Sequence, residues 1–352
     1  MSLPFQEIHG AVHLHTTFSD GGVDIADLIK VSTQVGLDYI VVTDHMTLAA
    51  KEKGYEGFHG DTLVVVGYEH NDHRRWNHYL AIGTTTVYPG QQDPQDYING
   101  IKKAGGIGFL AHPEERRHYF AHFPPYPWTA WDVTGYDGIE VWNQMSEWVE
   151  SLKRWRSYIL LLYPRRFLKR ARPALLERWD NLNRTRFVGG IGGVDAHTFR
   201  FGVGPLALRI FPTKVELKGV RTHLYVPNEW RSASADVARR VVVEALRDGR
   251  GFISHFRRGD ASGTEIVLYD AEGILILPGK ADRIPALPAR FKINVPLPSE
   301  ARLLRNGRIV DNAEGRSISF VVKEKGVYRI EIYRGRNAWI YSNPFPVGTY
   351  PF

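Results

Sequence analysis

Two histidines one residue apart, His13 and His15, open the stretch His13-Leu14-His15-Thr16-Thr17-Phe18-Ser19-Asp20-Gly21, the first polar cluster after an apolar start. Side chains alternate between faces along an extended strand, so a strand over 8–14 turns both imidazoles the same way, where they can grip one metal ion. The glycine-bearing loop that follows brings Asp20 to the same strand mouth, the place where metal hydrolases keep their ions. Further along, short apolar runs end in residues of the same chemical kind. The run 39–42 ends in Thr43-Asp44-His45, the run 63–66 in Gly67-Tyr68-Glu69-His70, and the run 107–111 in His112-Pro113. The run 138–142 carries Glu140 and stops near Asn143, and 187–191 leads into Gly192-Gly193-Val194-Asp195-Ala196-His197.

Runs this short and this apolar read as strands buried on both faces of a parallel sheet. Helices fall between them. One is expected over 24–35, with Ile25, Leu28, Ile29 and Val35 at helical spacing and Gly36 as its stop; another over 94–104 is closed by Gly105-Gly106. A polar, turn-like loop over 71–77 joins Glu69-His70 to a run over 78–82. If those two runs pair as a hairpin, the end of one lies beside the start of the next, and Glu69 and His78 can share a site. His70 competes for that place, but neighbouring strand residues point to opposite faces, which favours His78. Alternating strands and helices with polar residues gathered at strand ends predict an α/β fold, a parallel barrel whose site lies at one rim.

A helical insert is expected over 146–183, one more strand near 222–226, and an amphipathic helix near 235–246. From 263 onward the pattern changes to short alternating runs, 265–269, 291–295, 317–322, 327–333 and 339–341, separated by Gly, Pro and Asn turns. That predicts a small C-terminal antiparallel β-sandwich. The expected division is a barrel over 1–260 and a sandwich over 261–352.

With 352 residues, 43% hydrophobic and 24% charged, the chain can build a large core, and its composition is not that of a disordered protein. It has no cysteine, so any metal must be held by His, Asp and Glu. No run of about 18 apolar residues occurs and residues 1–18 lack a basic-then-apolar leader, so a soluble, unexported, cytoplasmic chain is expected. The formal charge of +7 suits an acidic partner such as a phosphate ester, a membrane surface or nucleic acid. Much of the excess sits between Lys153 and Arg186, where Trp155, Tyr158, Ile159, Leu162 and Tyr163 mix with Lys153, Arg154, Arg156, Arg165, Arg166, Lys169, Arg170 and Arg172 around a break at Pro164. The plain expectation is helices packed on the barrel with a charged outer face. The sharper one is a lid or a membrane-surface patch that attracts anionic lipid or an anionic substrate. A local basic segment of this kind is weaker evidence for nucleic acid than a basic stripe interleaved with aromatics throughout, and no nucleic-acid partner is expected.

Taken together, His13-Leu14-His15-Thr16, Ser19-Asp20-Gly21, Thr43-Asp44-His45, Glu69, His78, Ala111-His112-Pro113 and Gly193-Val194-Asp195-Ala196-His197 resemble the PHP superfamily, named for polymerase and histidinol phosphatase. The motifs stand in order over about residues 8–200. Looser likenesses, Ala245-Leu246-Arg247-Asp248-Gly249-Arg250-Gly251 and Trp339-Ile340-Tyr341-Ser342-Asn343-Pro344, resemble its carbaryl-hydrolase-like (CehA/McbA) branch, which adds a C-terminal β domain. The resemblance implies a distorted seven-stranded (βα) TIM-like barrel with up to three divalent transition metal ions, whether zinc, manganese or iron. It implies His13, His15, Glu69 and Asp195 around the first ion, Glu69, His78 and His112 around the second, and Asp20, His45 and His197 around the third. That partition is chemically sensible, since a carboxylate can bridge two ions whereas an imidazole nitrogen serves one. Asp44 is expected to orient a ligand imidazole. Glu140 either lines the barrel or is a satisfied inward carboxylate.

Paired ions acidify a bridging water, so the implied activity is hydrolysis of a small phosphorylated substrate by metal-activated hydroxide at a trinuclear centre, with Glu69 and Asp195 in the catalytic machinery. Arg116, Arg117 and His118, just past His112, and Arg200, past His197, are candidates to clamp a phosphate or protonate the leaving group. No Cys and no GxSxG motif is present to supply a covalent nucleophile. Ester, amide or carbamate hydrolysis at the same metals is the alternative among enzymes. A nucleic-acid-associated module is the alternative in another class, although no recognised nucleic-acid-binding fold is legible.

Overall fold

Seven strands close on themselves in chain order: β1 (Phe5–Leu14), β2 (Tyr39–Val42), β3 (Thr62–His70), β4 (Tyr79–Ile82), β5 (Ile107–Leu110), β6 (Gly138–Asn143) and β7 (Gly189–Ala196), with β7 returning to β1. The computed structural model describes residues 4–72, 74, 76–117, 124–151, 168–198, 200–201, 208–209 and 211–352. Neighbouring strands are parallel except at β4, which runs against both β3 and β5. The loop after β3 is too short for the crossover that a parallel pair needs, so β3 and β4 meet as a hairpin.

All four residues of β2 are buried. Tyr39 and Val41 pack with Val12, Val65, Phe109 and Ile191 inside the barrel, while Ile40 and Val42 pack outward with Leu28 and Ile29 of α1 (Ile25–Gln34). Burial on both faces is why these runs show no polar alternation. Asp24 caps α1 by accepting from the Ala26 N–H, and α2 (Pro94–Lys103) starts on a proline whose missing N–H would have gone unused. Among the described residues, α3 (Gln144–Ser151) and α4 (Pro173–Leu182) fall within or at the edge of the expected helical insert; residues 168–172 are irregular, and Pro173 starts α4. Helix α4 packs Leu175, Leu176 and Trp179 against the barrel. Residues 152–167, which hold most of the basic and aromatic side chains of that insert and its break at Pro164, lie outside the described residues.

β8 (Val220–Pro227) pairs with β1, and β9 (Gly251–His255) pairs with β8. Between them α5 (Ala235–Arg247) sets Ala238, Val242, Ala245 and Leu246 into the same cluster as the barrel interior, closing one end. The C-terminal sheet includes β10 (Glu265–Tyr269), with the short strand Leu275–Ile276 on its edge, β11 (Ala289–Arg305), β12 (Arg308–Val322), β13 (Gly326–Arg334), β14 (Asn337–Ser342) and β15 (Phe345–Val347), and joins the barrel side through β9 and β14. β11 and β12 run well past the expected 291–295 and 317–322. Their pairing lapses between Asn294 and Ser299, around Pro296 and Pro298, so one half of β11 pairs with β10 and the other with β13. Ile266, Phe291, Ile293, Ile330, Ile332 and Trp339 share the core enclosed by the two halves.

Candidate metal centre

The rim begins with a backbone irregularity. Val12 pairs with Gly193 but Leu14 pairs with Ala196, so β1 and β7 slip register together. His13 and Asp195 stand in the slip with left-handed backbones, φ 66° and 55°, and His112 at the end of β5 has φ 28°. Such conformations cost about 1–3 kcal/mol each outside glycine and collect at functional sites. Plain alternation therefore does not hold. His15 lies past the end of β1, and the bulge at His13 brings the two rings to 5.1 Å between centres.

All nine residues named as ligands converge at this rim. Glu69 is at the middle: its Oε1 lies 2.7 Å from His78 Nδ1 and 3.2 Å from His112 Nε2, and its Oε2 lies 3.0 Å from His13 Nε2, 3.2 Å from His15 Nε2 and 3.5 Å from His45 Nδ1. Asp195 Oδ1 is 3.5 Å from His13 Nε2, 3.4 Å from His15 Nε2 and 3.4 Å from His197 Nδ1. Asp20 closes the outer edge, with Oδ2 3.6 Å from His45 Nε2 and 3.4 Å from His197 Nε2, and Oδ1 3.6 Å from His15 Nδ1. Four overlapping donor groups result: His13, His15 and Asp195; His13, Glu69 and His112; His45, Glu69 and His78; and His15, Asp20, His45 and His197. His70 faces away, 4.3 Å from the Tyr97 ring.

The donor set fits metal ions on two grounds. Both ring nitrogens of His15 are buried without a hydrogen-bond partner although carboxylate oxygens surround them, which is the spacing of groups that share a cation rather than a proton. The second ground is charge. Burial opposes ionisation of every group here, yet the Glu69 and Asp195 carboxyls are held well below their ordinary range by the imidazoles around them. Burial likewise lowers the imidazoles, but the same carboxylates outweigh it and raise His15 to about 10 and His112 to about 9, with His13 also raised well above normal. Two buried carboxylates thus demand positive charge, which protons or metal ions can supply. His45, at the outer edge, is lowered to about 4, mainly by burial.

Glu140 is the functional residue left open by sequence. Its Oε1 lies 2.9 Å from His13 Nδ1, and its Oε2 accepts the His112 N–H at 2.6 Å and Asn143 Nδ2 at 2.8 Å, so it fixes one imidazole ring and one ligand backbone. Its seat depends on Gly193, where a Cβ would lie 1.5 Å from Glu140 Oε1. A charged residue inside an otherwise apolar run was the available signal. Asp44 corrects its expectation: among the described residues its hydrogen bonds come not from a ligand imidazole but from Thr16 N–H at 2.7 Å, Thr16 Oγ1 at 2.8 Å and Ser19 Oγ at 2.7 Å. It braces the loop that carries Asp20. Glu216, which no motif announced, is buried and accepts from the Thr198 hydroxyl at 2.8 Å and from the His197 N–H at 3.3 Å, holding the turn after β7. Asn71 Oδ1 lies 3.1 Å from His45 Nδ1.

Beyond the donors a cleft opens, bordered by Asp20, His45, Met46, Asn71, His78 and Tyr126. Tyr126 stacks on His78 with ring centres 5.0 Å apart. Arg117 gives its Nε and Nη2 to Glu115 Oε1, at 3.0 and 2.8 Å, and lies over the Tyr126 ring. Arg116 is exposed. His118 and the side chain of Arg200 lie outside the described residues.

No protein-family model matches the chain, and no curated protein does. Among solved structures it is similar to a two-domain protein containing a predicted PHP-like metal-dependent phosphoesterase from Bacteroides vulgatus, at 15% identity and a TM-score of 0.44, covering 97% of this chain and 96% of that one. It is also similar to PsfC from Pseudomonas syringae, at 14% identity and a TM-score of 0.40 over 69% of this chain and 90% of that one. An amidohydrolase from Chromobacterium violaceum matches at 12% identity and a TM-score of 0.33, over 57% and 94%. Likenesses at this level leave the reading of the rim to its own geometry.

Proposed function

We propose that the chain is a metal-dependent phosphoesterase of the PHP type, acting on a small phosphorylated molecule, with residues 1–260 as the hydrolase unit and 261–352 as its companion. The observation that carries this reading is the convergence of His13, His15, Asp20, His45, Glu69, His78, His112, Asp195 and His197 into overlapping donor groups at one barrel rim. We assign the ions as the motif resemblance implies: His13, His15, Glu69 and Asp195 for the first, Glu69, His78 and His112 for the second, Asp20, His45 and His197 for the third. Divalent ions held there would supply an acidified water and neutralise charge on the phosphoryl oxygens.

The residues of the chain do the rest. Glu69 offers one oxygen to His78 and His112 and the other to His13 and His15, the disposition of a bridging carboxylate. Asp20 is half-exposed, as a group at the substrate-facing edge must be, while Glu69 and Asp195 are buried and shielded from bulk water. Met46 and Tyr126 give the cleft an apolar wall suited to an organic leaving group. With the Arg117 fork turned onto Glu115, we assign any guanidinium contact to phosphate first to exposed Arg116.

Hydrolysis of an ester, amide or carbamate at the same centre is the second reading, favoured by one observation: the described residues lining the cleft include no Lys or Arg. Parallel assays of aryl phosphate mono- and diesters against aryl esters and carbamates separate the two. Turnover of phosphate esters alone supports the first; turnover of carbonyl substrates alone replaces it with the second. Loss of both in a folded Glu69→Ala protein supports the rim as the site, and substantial activity in that variant refutes it.

A further inference from the structure

A second set of metal donors lies at the other end of the barrel. Glu7 and His9 are two residues apart on β1 and so share a face, and His223 on β8 stands directly opposite His9. Asp38, just before β2, lies beside His9. His9 is four residues back from His13, roughly 13 Å along a strand that rises ~3.3 Å per residue, so the two sets cannot share an ion.

Unlike those of His15, the ring nitrogens of His223 have hydrogen-bond partners, and His9 Nδ1 faces carboxylates at longer range. His9 Nδ1 lies 3.3 Å from Asp38 Oδ2, 3.8 Å from Glu7 Oε1 and 3.4 Å from Ser262 Oγ; His223 Nδ1 lies 2.5 Å from Glu7 Oε1. In a tetrahedral site with bonds of about 2.0–2.1 Å, ligand atoms stand roughly 3.3–3.4 Å apart. The His223–Glu7 and His9–Glu7 distances lie on either side of that edge, and Glu7, His9 and His223 each offer a ligand atom within 4.8 Å of the others. The other nitrogen of His223 is taken by Ser254 Oγ at 2.7 Å, which fixes the ring with Nδ1 toward the group. Three carboxylates, Glu7, Asp38 and Asp260, face the pocket against two guanidiniums, Arg221 and Arg231. Arg231 is bound to Asp38 Oδ1 and the His9 N–H donates to Oδ2 at 2.8 Å, so Asp38 braces His9 from beside the donor group. The side chains of His9, Glu7 and Asp38 are 14%, 11% and 11% exposed, so an ion can enter.

We propose that Glu7, His9 and His223 form a structural site for a zinc-class divalent ion, separate from the catalytic rim. Glu7 Oε2 also accepts the Gly263 N–H at 3.0 Å, so an ion on Glu7 ties β1 and β8 to the start of the C-terminal sheet. The site stands whether or not the rim hydrolyses phosphoesters.

The test uses the full chain, stripped by chelation and refilled with zinc. His9→Gln should retain one ion fewer per chain than the wild type while keeping its hydrolytic rate. In a background carrying His15→Ala and Asp195→Asn, zinc should still raise the melting temperature, and adding His9→Gln should remove that rise. Equal zinc counts in wild type and His9→Gln overturn the proposal. Should His9→Gln not fold, an anomalous difference map from wild-type crystals grown with zinc decides: a peak bonded to His9 Nδ1 and His223 Nδ1 supports the site, and none there overturns it.

Discussion

At neutral pH the rim of the metal-free chain holds its buried carboxylate charge with protons on imidazole. Burial works against this, but Glu69 and Asp195 raise His15 to about 10 and His112 to about 9, far above the ordinary 6.5. Metal ligation needs neutral imidazole, so ions must displace these protons, and affinity rises with pH until the raised values are passed. The sign is the same for folding: raised imidazoles stabilise the metal-free protein fully below pH 6.5 and cease to do so as pH climbs through 9–10. Calorimetric titration with zinc at pH 7 in buffers of different ionisation heat should show release of more than one proton per chain; none released would contradict this account. Glu140 gives a second outcome at this scale. Because it holds His13 Nδ1 and the His112 N–H, Glu140→Gln should weaken metal binding about 10–100-fold without unfolding the protein, read by competitive chelator titration. The nine donors were legible because His, Asp and Glu at the ends of apolar runs are conspicuous. The role of Asp44 was not, since a carboxylate beside a ligand histidine looks the same whether it orients a ring or, as here, ties down Thr16 and Ser19.

Strands of four to ten residues carry these side chains, and their interiors were readable as unbroken apolar runs: β2 coincides with the expected 39–42 and β10 with 265–269. Their irregularities were not. The paired bulge at His13 and Asp195 depends on how β1 meets β7, residues far apart in the chain, and local alternation is blind to it. The bend of β11 escaped notice for a related reason, because its prolines read as strand ends when they mark a change of partner. Gly193 links bulge to chemistry. An added Cβ meets Glu140 Oε1 at 1.5 Å, so Gly193→Ala should cost about 1–3 kcal/mol by urea unfolding and weaken metal binding along with it. Unchanged stability and affinity would show that Glu140 does not need that seat.

Across the whole molecule, the barrel and the C-terminal sheet are joined by sheet pairing at β9 and β14 and by a buried charge. Arg329 on β13 gives Nε and Nη2 to Asp180 of α4, at 2.9 and 2.8 Å, and Nη1 to Glu331 at 2.7 Å. Removing one member of such a group strands the others without compensation, so Arg329→Ala should destabilise the protein by about 3–5 kcal/mol, measured by equilibrium urea unfolding. A loss under 1 kcal/mol would mean the tie carries no weight. Among the described residues no helix is long and apolar enough to cross a membrane. Hydrolysis at a metal-loaded rim is tested most directly by stripping the wild-type chain with chelator and following aryl phosphate ester turnover as manganese or zinc is returned in equivalents. Turnover should be absent without metal and climb to a plateau as the second and third rim equivalents bind. Full activity in the stripped protein, or a fully loaded protein that turns over no ester of any kind, would contradict it.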